Sequence, residues 1–363
     1  MEKPAIVTGG IGEAGMVGRY LQQLYPQEAI ISAIGEAMDD HGTRCYLPTF
    51  VQETIRVYRE RPDEAIAYGG IGGQKEFLDI VTRLLVGDQF QEGYIARVGV
   101  AGLTSALYTS LYTLSRGNDV LVPQPAWPSY TGMVKQIEGR YLGFPLFTDQ
   151  GRFNLEGVAS LLPQVGPRVT LILNTPFHNP TGYTLERQEL QELRSLLWKA
   201  ADSGKQVTII IDPAYMDFHW YTPRSVLQDV LRPFFPLHDQ VTLAVGWSLS
   251  KSHLAYGERL GALLCITNSA RRAEELQQQL LVVTRITISQ PATTPQLVVE
   301  ALHTDPAKLA RLIQEREQVR LLLAQRNQAF EKGVQENGLT ALPGDGGFFR
   351  TIELPAGVPA LEV

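Results

Sequence analysis

The chain is short of cysteine, of histidine and of long apolar runs, and each shortage removes a class of function. Cys45 and Cys265 are its two cysteines. They make no disulfide framework and neither sits in a CxxC spacing, so a reducing compartment is expected. The six histidines form no HExxH pattern and no ligand-spaced pair, so neither a structural nor a catalytic metal is expected. No apolar run approaches the roughly 18 residues of a membrane span, and Met1-Glu2-Lys3-Pro4 opens the chain without the apolar core of a signal peptide. Excess positive charge is missing too. With 32 Lys and Arg against 38 Asp and Glu the formal net charge is −6, which argues against a general nucleic-acid binder and for a cytoplasmic protein. There is no internal repeat and no low-complexity segment.

What is present is the composition of an ordinary globular protein, 44% hydrophobic and 19% charged. Its 363 residues exceed one typical core, so a large domain with a smaller one is expected. Residues 1–48 are Gly-rich, with a helix expected over 15–24. Helices are expected over 49–60 and 74–86, with the loop Tyr68-Gly69-Gly70-Ile71-Gly72-Gly73 between them. Short apolar runs then follow at Ala96–Val100, Val120–Val122, Val169–Leu173, Val207–Ile211, Val241–Val245 and Leu260–Ile266. Helical patterns separate most of them, around 103–115, 126–137, 154–162 and 185–202. Buried strands alternating with helices predict an α/β fold, a mostly parallel sheet covered on both faces. Residues 269–283 and 306–332 are long and amphipathic, and the second, opening at Asp305-Pro306, could join two domains. Phe348–Leu354 reads as a strand after the turn Gly344-Asp345-Gly346-Gly347.

Three segments carry the chemistry: Asn179-Pro180-Thr181-Gly182, Asp212-Pro213-Ala214-Tyr215, and Ser248-Leu249-Ser250-Lys251 with Arg259 and Gly261 beyond it. Lys251 follows the buried strand Val241–Gly246, at the end of an α/β sheet where ligands bind. A lysine amine there can form a Schiff base with an aldehyde cofactor and then shuttle a proton. Asp212 ends another apolar strand and can hold a pyridine nitrogen protonated, which makes the ring an electron sink. Tyr215 and Asn179 can donate to a phenolate oxygen. Ser248, Ser250 and Arg259 supply hydroxyls and a planar fork of donors for a phosphate. Ala101-Gly102-Leu103-Thr104-Ser105 opens a helix after a strand, where backbone N–H groups can meet a phosphate. Trp127, in Pro125-Ala126-Trp127-Pro128, can stack on a ring. Taken singly, each of these is as well explained as a turn, a cap, a packed aromatic or a solvated side chain. His178 reads as a satisfied buried histidine rather than a general base.

A competing motif lies near the N-terminus. Gly10-Ile11-Gly12-Glu13-Ala14-Gly15 follows the apolar triplet Ala5-Ile6-Val7 and matches a dinucleotide fingerprint. The triplet is short, and Asp39 and Asp40 do not follow the second strand that such a site requires. A Gly-rich arm explains the run more simply.

Together the three segments resemble those of the class I aminotransferases, fold-type I pyridoxal phosphate enzymes, with the aspartate and aromatic branch nearest. The likeness runs from about Gly35 to Phe349. It implies a fold-type I transferase divided into residues 1–48 (arm and part of the small domain), 49–305 (large cofactor domain) and 306–363 (linking helix and a small α/β domain, C-terminally incomplete). It implies that Lys251 bears the cofactor, Asp212 meets the pyridinium, Asn179 and Tyr215 bind the phenolate oxygen, and Trp127 stacks on the ring. Gly102, Leu103, Thr104, Ser248, Ser250 and Arg259 would hold the phosphate, with Tyr68 reaching the phosphate of a second subunit in a homodimer. Gly35 would lie near the substrate carboxylate, with Trp127 and Asn179 also touching substrate.

Three departures qualify the likeness. Tyr130 stands where the aspartate branch has a histidine. The arginine that selects dicarboxylates has no counterpart, since the spacing of Arg285 to Pro295 does not fit. The arginine that grips the substrate α-carboxylate lies in the family beyond the Gly-Gly-Phe-Phe strand, and Arg350 is not at its position. That leaves open a fragment, a substitute group or an impaired protein. The expected activity is transfer of an amino group from an amino acid, aromatic or aliphatic rather than aspartate, to a 2-oxo acid. A pyridoxal phosphate lyase (eliminating or cyclising) and a non-catalytic cofactor-binding module are the alternatives.

Overall fold

The computed structural model describes residues 35–87, 90–223 and 225–354. The expected helix at 15–24 and the dinucleotide-like run lie outside the described residues. Seven strands form the main sheet: β1 (Tyr94–Val100), β2 (Asp119–Gln124), β3 (Arg140–Pro145), β4 (Arg168–Leu173), β5 (Gln206–Ile211), β6 (Val241–Ser248) and β7 (Gly261–Thr267). Their order is β1-β7-β6-β5-β4-β2-β3. Every neighbouring pair is parallel except those made by β7, which runs antiparallel to both β1 and β6.

The central strands are apolar on both faces because both faces are covered. In β5, Val207, Ile209 and Ile211 enter one core. Ile210, pointing the other way by the two-residue period of a strand, enters a second. The first core is closed by residues such as Phe77, Leu193 and Leu297, the second by Leu107, Leu111, Met133 and Leu276. Helices Gly102–Ser115 and Ala270–Thr287 cover the second face, and helices Lys75–Val86 and Arg187–Asp202 help cover the first. The latter opens with a reciprocal capping box between Glu186 and Glu189.

Four expectations are corrected. The strand β3 falls in a stretch with no apolar run. It lies at the sheet edge with Phe144 its one buried residue, and an edge strand needs only a partial apolar face. Helix Thr293–Thr304 falls in a stretch without polar periodicity, because most of its residues are buried and it therefore lacks a polar stripe. Ser248 is the last residue of β6, paired with Gly261, so the strand runs two residues past its expected end at Gly246. Ser250 and Lys251 then lie in the one-turn helix Leu249–Ser252. Finally, of Phe348–Leu354 only Ile352–Glu353 (β9) pairs as a strand, with Thr340–Ala341 (β8). Phe348 and Phe349 instead pack their rings on Tyr215.

The long helix Pro306–Glu336 starts at Asp305, whose side chain accepts from the N–H groups of Ala307 and Lys308. It is tied to the first described helix, Pro48–Glu60, where Glu315 accepts from the backbone and hydroxyl of Thr49. No helix among the described residues is long and apolar enough to cross a membrane.

Candidate active site

Parallel strands deliver their C-terminal ends to one edge of a sheet, and the chemistry-bearing residues sit there. The exit of β1 carries Ala101 and Gly102, that of β2 Trp127, that of β4 Asn174 and Asn179, that of β5 Asp212 and Tyr215, and that of β6 Ser250 and Lys251. Because β7 runs backwards, its start lies at the same edge, which returns Arg259 beside Ser250. These exits surround a cavity of about 530 Å³. Its walls include Gly35, Leu103, Thr104, Trp127, Asn179, Asp212, Tyr215, Ser248, Ser250, Lys251 and Arg259.

Lys251 points into the cavity. Its amine donates to the carbonyl of Gly35 and lies 4.7 Å from the ring centre of Tyr256, with Tyr215 and Phe348 at 5.8 and 5.9 Å. Burial pushes the amine down to about 8; the charge of Glu36 pulls it up and that of Arg259 pushes it further down. Asp212 is buried. One carboxylate oxygen accepts from the hydroxyl of Tyr130 and the other from the N–H of Ala214 at 3.3 Å. Burial raises the carboxyl to about 6 against the pull of those two bonds. Tyr215 is buried as well, and burial followed by the charge of Asp212 raises its phenol. Asn174 braces the exits of β4 and β5, its amide donating to the carbonyl of Asp212 at 2.8 Å.

At the other end of the cavity, Arg259 donates to Ser250 Oγ at 3.1 Å and to the carbonyl of Tyr256 at 3.0 Å. Gly102 has φ +79°, and a methyl group there would sit 2.7 Å from Arg259 Nη2. At Gly261 it would meet the carbonyl of Trp247 at 2.5 Å. The missing side chain at Gly102 lets the guanidinium lie at the start of helix Gly102–Ser115, and the missing one at Gly261 lets the start of β7 lie against the Gly102 backbone. No side chain caps that helix, so its first N–H groups remain available to an anion.

Gly102 itself is not among the cavity-lining residues, and neither is Tyr68, which is 91% exposed. Arg285 is not among the cavity-lining residues and donates to Ser289 Oγ at 2.8 Å. Arg350 also faces away. Its guanidinium lies 5.2 Å from the ring centre of Trp220 and 5.0 Å from that of Phe330. His178 is buried against Thr181 Oγ1 at 3.1 Å, and burial pushes it down to about 3. Sequence reasoning missed Asn174, Tyr256 and Phe349, which touch or line the site. Tyr256 lies five residues after Lys251, but nothing in that spacing says the ring turns back under the amine.

The family model described as aminotransferase class I and II matches residues 33–358. A tyrosine aminotransferase of Rhizobium meliloti (strain 1021) is 26% identical over 295 residues, 79% of this chain and 73% of that protein. The crystal structure of an aminotransferase from Anaerococcus prevotii DSM 20548 superposes with a TM-score of 0.86 at 28% identity, over 97% of this chain and 85% of that one. An aromatic-amino-acid aminotransferase of Burkholderia pseudomallei, covalently bound to pyridoxal phosphate, shares the fold with a TM-score of 0.71 at 24% identity, over 84% of this chain and 74% of that one.

Proposed function

Because the chain belongs to the class I and II aminotransferases, pyridoxal phosphate enzymes that move an amino group from an amino acid to a 2-oxo acid, we propose specific roles for the residues of the cavity. The observation that carries the assignment is convergence. Five strand exits and the start of β7 bring one lysine, one buried carboxylate and one arginine-serine cradle into a single cavity. The residues fit the cofactor. The cradle of Ser250, Arg259 and the free N–H groups after Gly102 suits a phosphate, and Trp127 and Asp212 suit the face and nitrogen of a pyridine ring. When bound, pyridoxal phosphate supplies an aldehyde for the amine and a ring that accepts an electron pair.

Lys251 anchors the cofactor and moves the substrate's α-proton at Nζ. Desolvation makes that amine a usable base near neutral pH. Asp212 holds its charge at the ring nitrogen, Asn179 and Tyr215 donate to the phenolate oxygen, and Ser248, Ser250, Thr104 and Leu103 line the phosphate end with Arg259. Gly35 keeps the wall opposite Lys251 thin enough for a substrate. A methyl group there would approach Tyr215 Oη to 3.0 Å and Lys251 Nζ to 3.3 Å.

Donors are aromatic or aliphatic amino acids. Lys251 and Arg259 are the two cations among the cavity-lining residues, and both are engaged by other tasks, while Trp127, Tyr215 and Phe349 give the cavity apolar walls. The working unit is a homodimer in which Tyr68 reaches the neighbouring phosphate. Its support is the exposure of Ile55, Tyr58, Ile66, Tyr68 and Ile286. Residues 49–305 act as the cofactor domain, with 306–363 and 1–48 forming the smaller one; limited proteolysis releasing no fragment near residue 305 would count against that division. Location in the cytoplasm is supported by two free cysteines, and recovery of the chain in an organelle or membrane fraction would contradict it.

The test is the visible absorbance of the purified chain, with Lys251→Ala as control, before and after a panel of amino acids. The expected result is a lysine-dependent band that aromatic or aliphatic donors convert and a 2-oxo acid restores. Release of ammonia without a 2-oxo acid would replace the transfer reading with a lyase. Absence of α-proton exchange would replace it with a binding module.

A further inference from the structure

We propose that Tyr130 is a positioning residue for Asp212, holding that carboxylate beside Trp127 through a hydroxyl that donates a proton but lends no positive charge. The proposal rests on reading the cavity as a pyridoxal phosphate site.

Tyr130 is the second residue of helix Ser129–Gln136, directly after Pro125-Ala126-Trp127-Pro128. It is 1% exposed, and a tyrosine so deeply buried requires a partner for its hydroxyl. That partner is Asp212 Oδ2. At its other end Tyr130 is bound to Trp127 twice. Its backbone N–H donates to the Trp127 carbonyl at 3.1 Å, and its ring meets the indole edge-on, with centres 5.5 Å apart and planes at 89°. One side chain therefore couples the residue that covers the ring face to the residue that meets the ring nitrogen.

The charge arrangement gives this contact its meaning. Asp212 accepts from two neutral donors, Tyr130 and the N–H of Ala214. Among the described residues no arginine, lysine or histidine forms an ion pair with it. The titratable groups facing the pair are Tyr215 from the exit of β5, Tyr141 from β3 and, across the cavity, Lys251 from the exit of β6. A histidine in place of Tyr130 would also donate, but it would gain and lose a proton in the physiological range and share the charge of Asp212 when protonated. The phenol keeps its proton, since burial and the neighbouring carboxylate both hold it there. The negative charge of Asp212 is thus left for the cofactor's ring nitrogen, and the contact adds no titration of its own.

Three readouts test this on the full chain: the dissociation constant for pyridoxal phosphate, the pH midpoint of the visible band of the lysine-bound cofactor, and the near-ultraviolet circular dichroism as a check on folding. Tyr130→Phe is expected to weaken cofactor binding roughly tenfold, the scale of a lost hydrogen bond to a charged group, and to shift the pH midpoint. Tyr130→His is expected to restore binding and to introduce a pH-dependent step between about pH 5 and 8 that the natural protein lacks. In an Asp212→Asn background the Phe substitution is expected to change binding less than about twofold, since coupled residues lose additivity. A Tyr130→Phe protein with unchanged affinity and midpoint would overturn the positioning role while leaving the cofactor site intact. So would an equal loss in the Asp212→Asn background, which would indicate packing alone. A natural chain with no lysine-dependent band would remove the cofactor reading itself, and this proposal with it.

Discussion

Gly102 and Arg259 compete for one small volume beside the end of the cavity proposed to hold the phosphate. A methyl group at Gly102 would press on the guanidinium at 2.7 Å, and the φ of +79° is one that side chains adopt at a cost. Gly102→Ala is therefore expected to displace Arg259 from Ser250 and to weaken pyridoxal phosphate binding by about tenfold or more. The same change should lower stability by about 1–2 kcal/mol through left-handed backbone strain. Equilibrium dialysis and urea unfolding measure the two effects, and an alanine variant that binds normally would remove the cradle role. At this scale the sequence was informative about residue types and poor about partners. Lys251, Asp212 and Arg259 could be named from their spacing. The stack of Tyr256 under the amine, and the hydroxyl of Tyr130 on Asp212, depend on side-chain directions that spacing does not encode.

At the scale of elements, two buried histidines meet where the one-turn helix Leu249–Ser252 ends against helix Thr293–Thr304. The rings of His253 and His303 lie 5.7 Å apart. Burial, followed by the charge of Arg316, pushes His303 down to about 4, and burial also pushes His253 well below the ordinary histidine range. Arg316 itself pairs with Asp217 at 3.4 Å, and Arg83 adds its charge near His303. A histidine depressed in the folded state binds its proton first when unfolded. Stability is therefore full above about pH 6.5 and falls as pH drops toward 4. For His303 the loss is roughly 3 kcal/mol at most. Asp212 and Asp345, both raised by burial to about 6, act in the opposite sense over part of that range, so the useful comparison is between variants. His303→Leu is expected to fold, because His303 Nε2 has no hydrogen bond partner among the described residues. It should flatten the fall in urea midpoint between pH 6.5 and 4; an unchanged slope would contradict the assignment. Most apolar runs and amphipathic helices were legible because burial writes a period into the chain. The edge strand Arg140–Pro145 and the enveloped helix Thr293–Thr304 were not, the first having too little apolar face and the second no polar one.

For the whole molecule, the loop containing Tyr68 packs on helix Ala270–Thr287, where a methyl group at Gly72 would come within 2.9 Å of Leu281. The same region exposes Ile71, Val282 and Ile286, the last at 67%. If this surface joins two copies, Ile286→Glu is expected to shift the protein toward monomer, because a charge placed in an apolar interface is left without water or partner. Weaker cofactor binding should accompany the shift, since Tyr68 would lose the phosphate it is proposed to reach. Sedimentation velocity with a cofactor titration measures both. A natural chain that is monomeric at every concentration would remove the dimer and the role of Tyr68 together.

The sequence by itself determined which reactive groups exist and that most of them follow a buried strand, because apolar runs and polar exits are local patterns set by burial. Only the tertiary structure decided which groups meet. Tyr130 and Asp212 are 82 residues apart and touch because β4 lies between β2 and β5 in the sheet. Arg259 returns to the cavity because β7 alone of the seven strands runs backwards. Strand order and direction arise from long-range pairing, which no local spacing records, and they turn a set of scattered polar residues into one site.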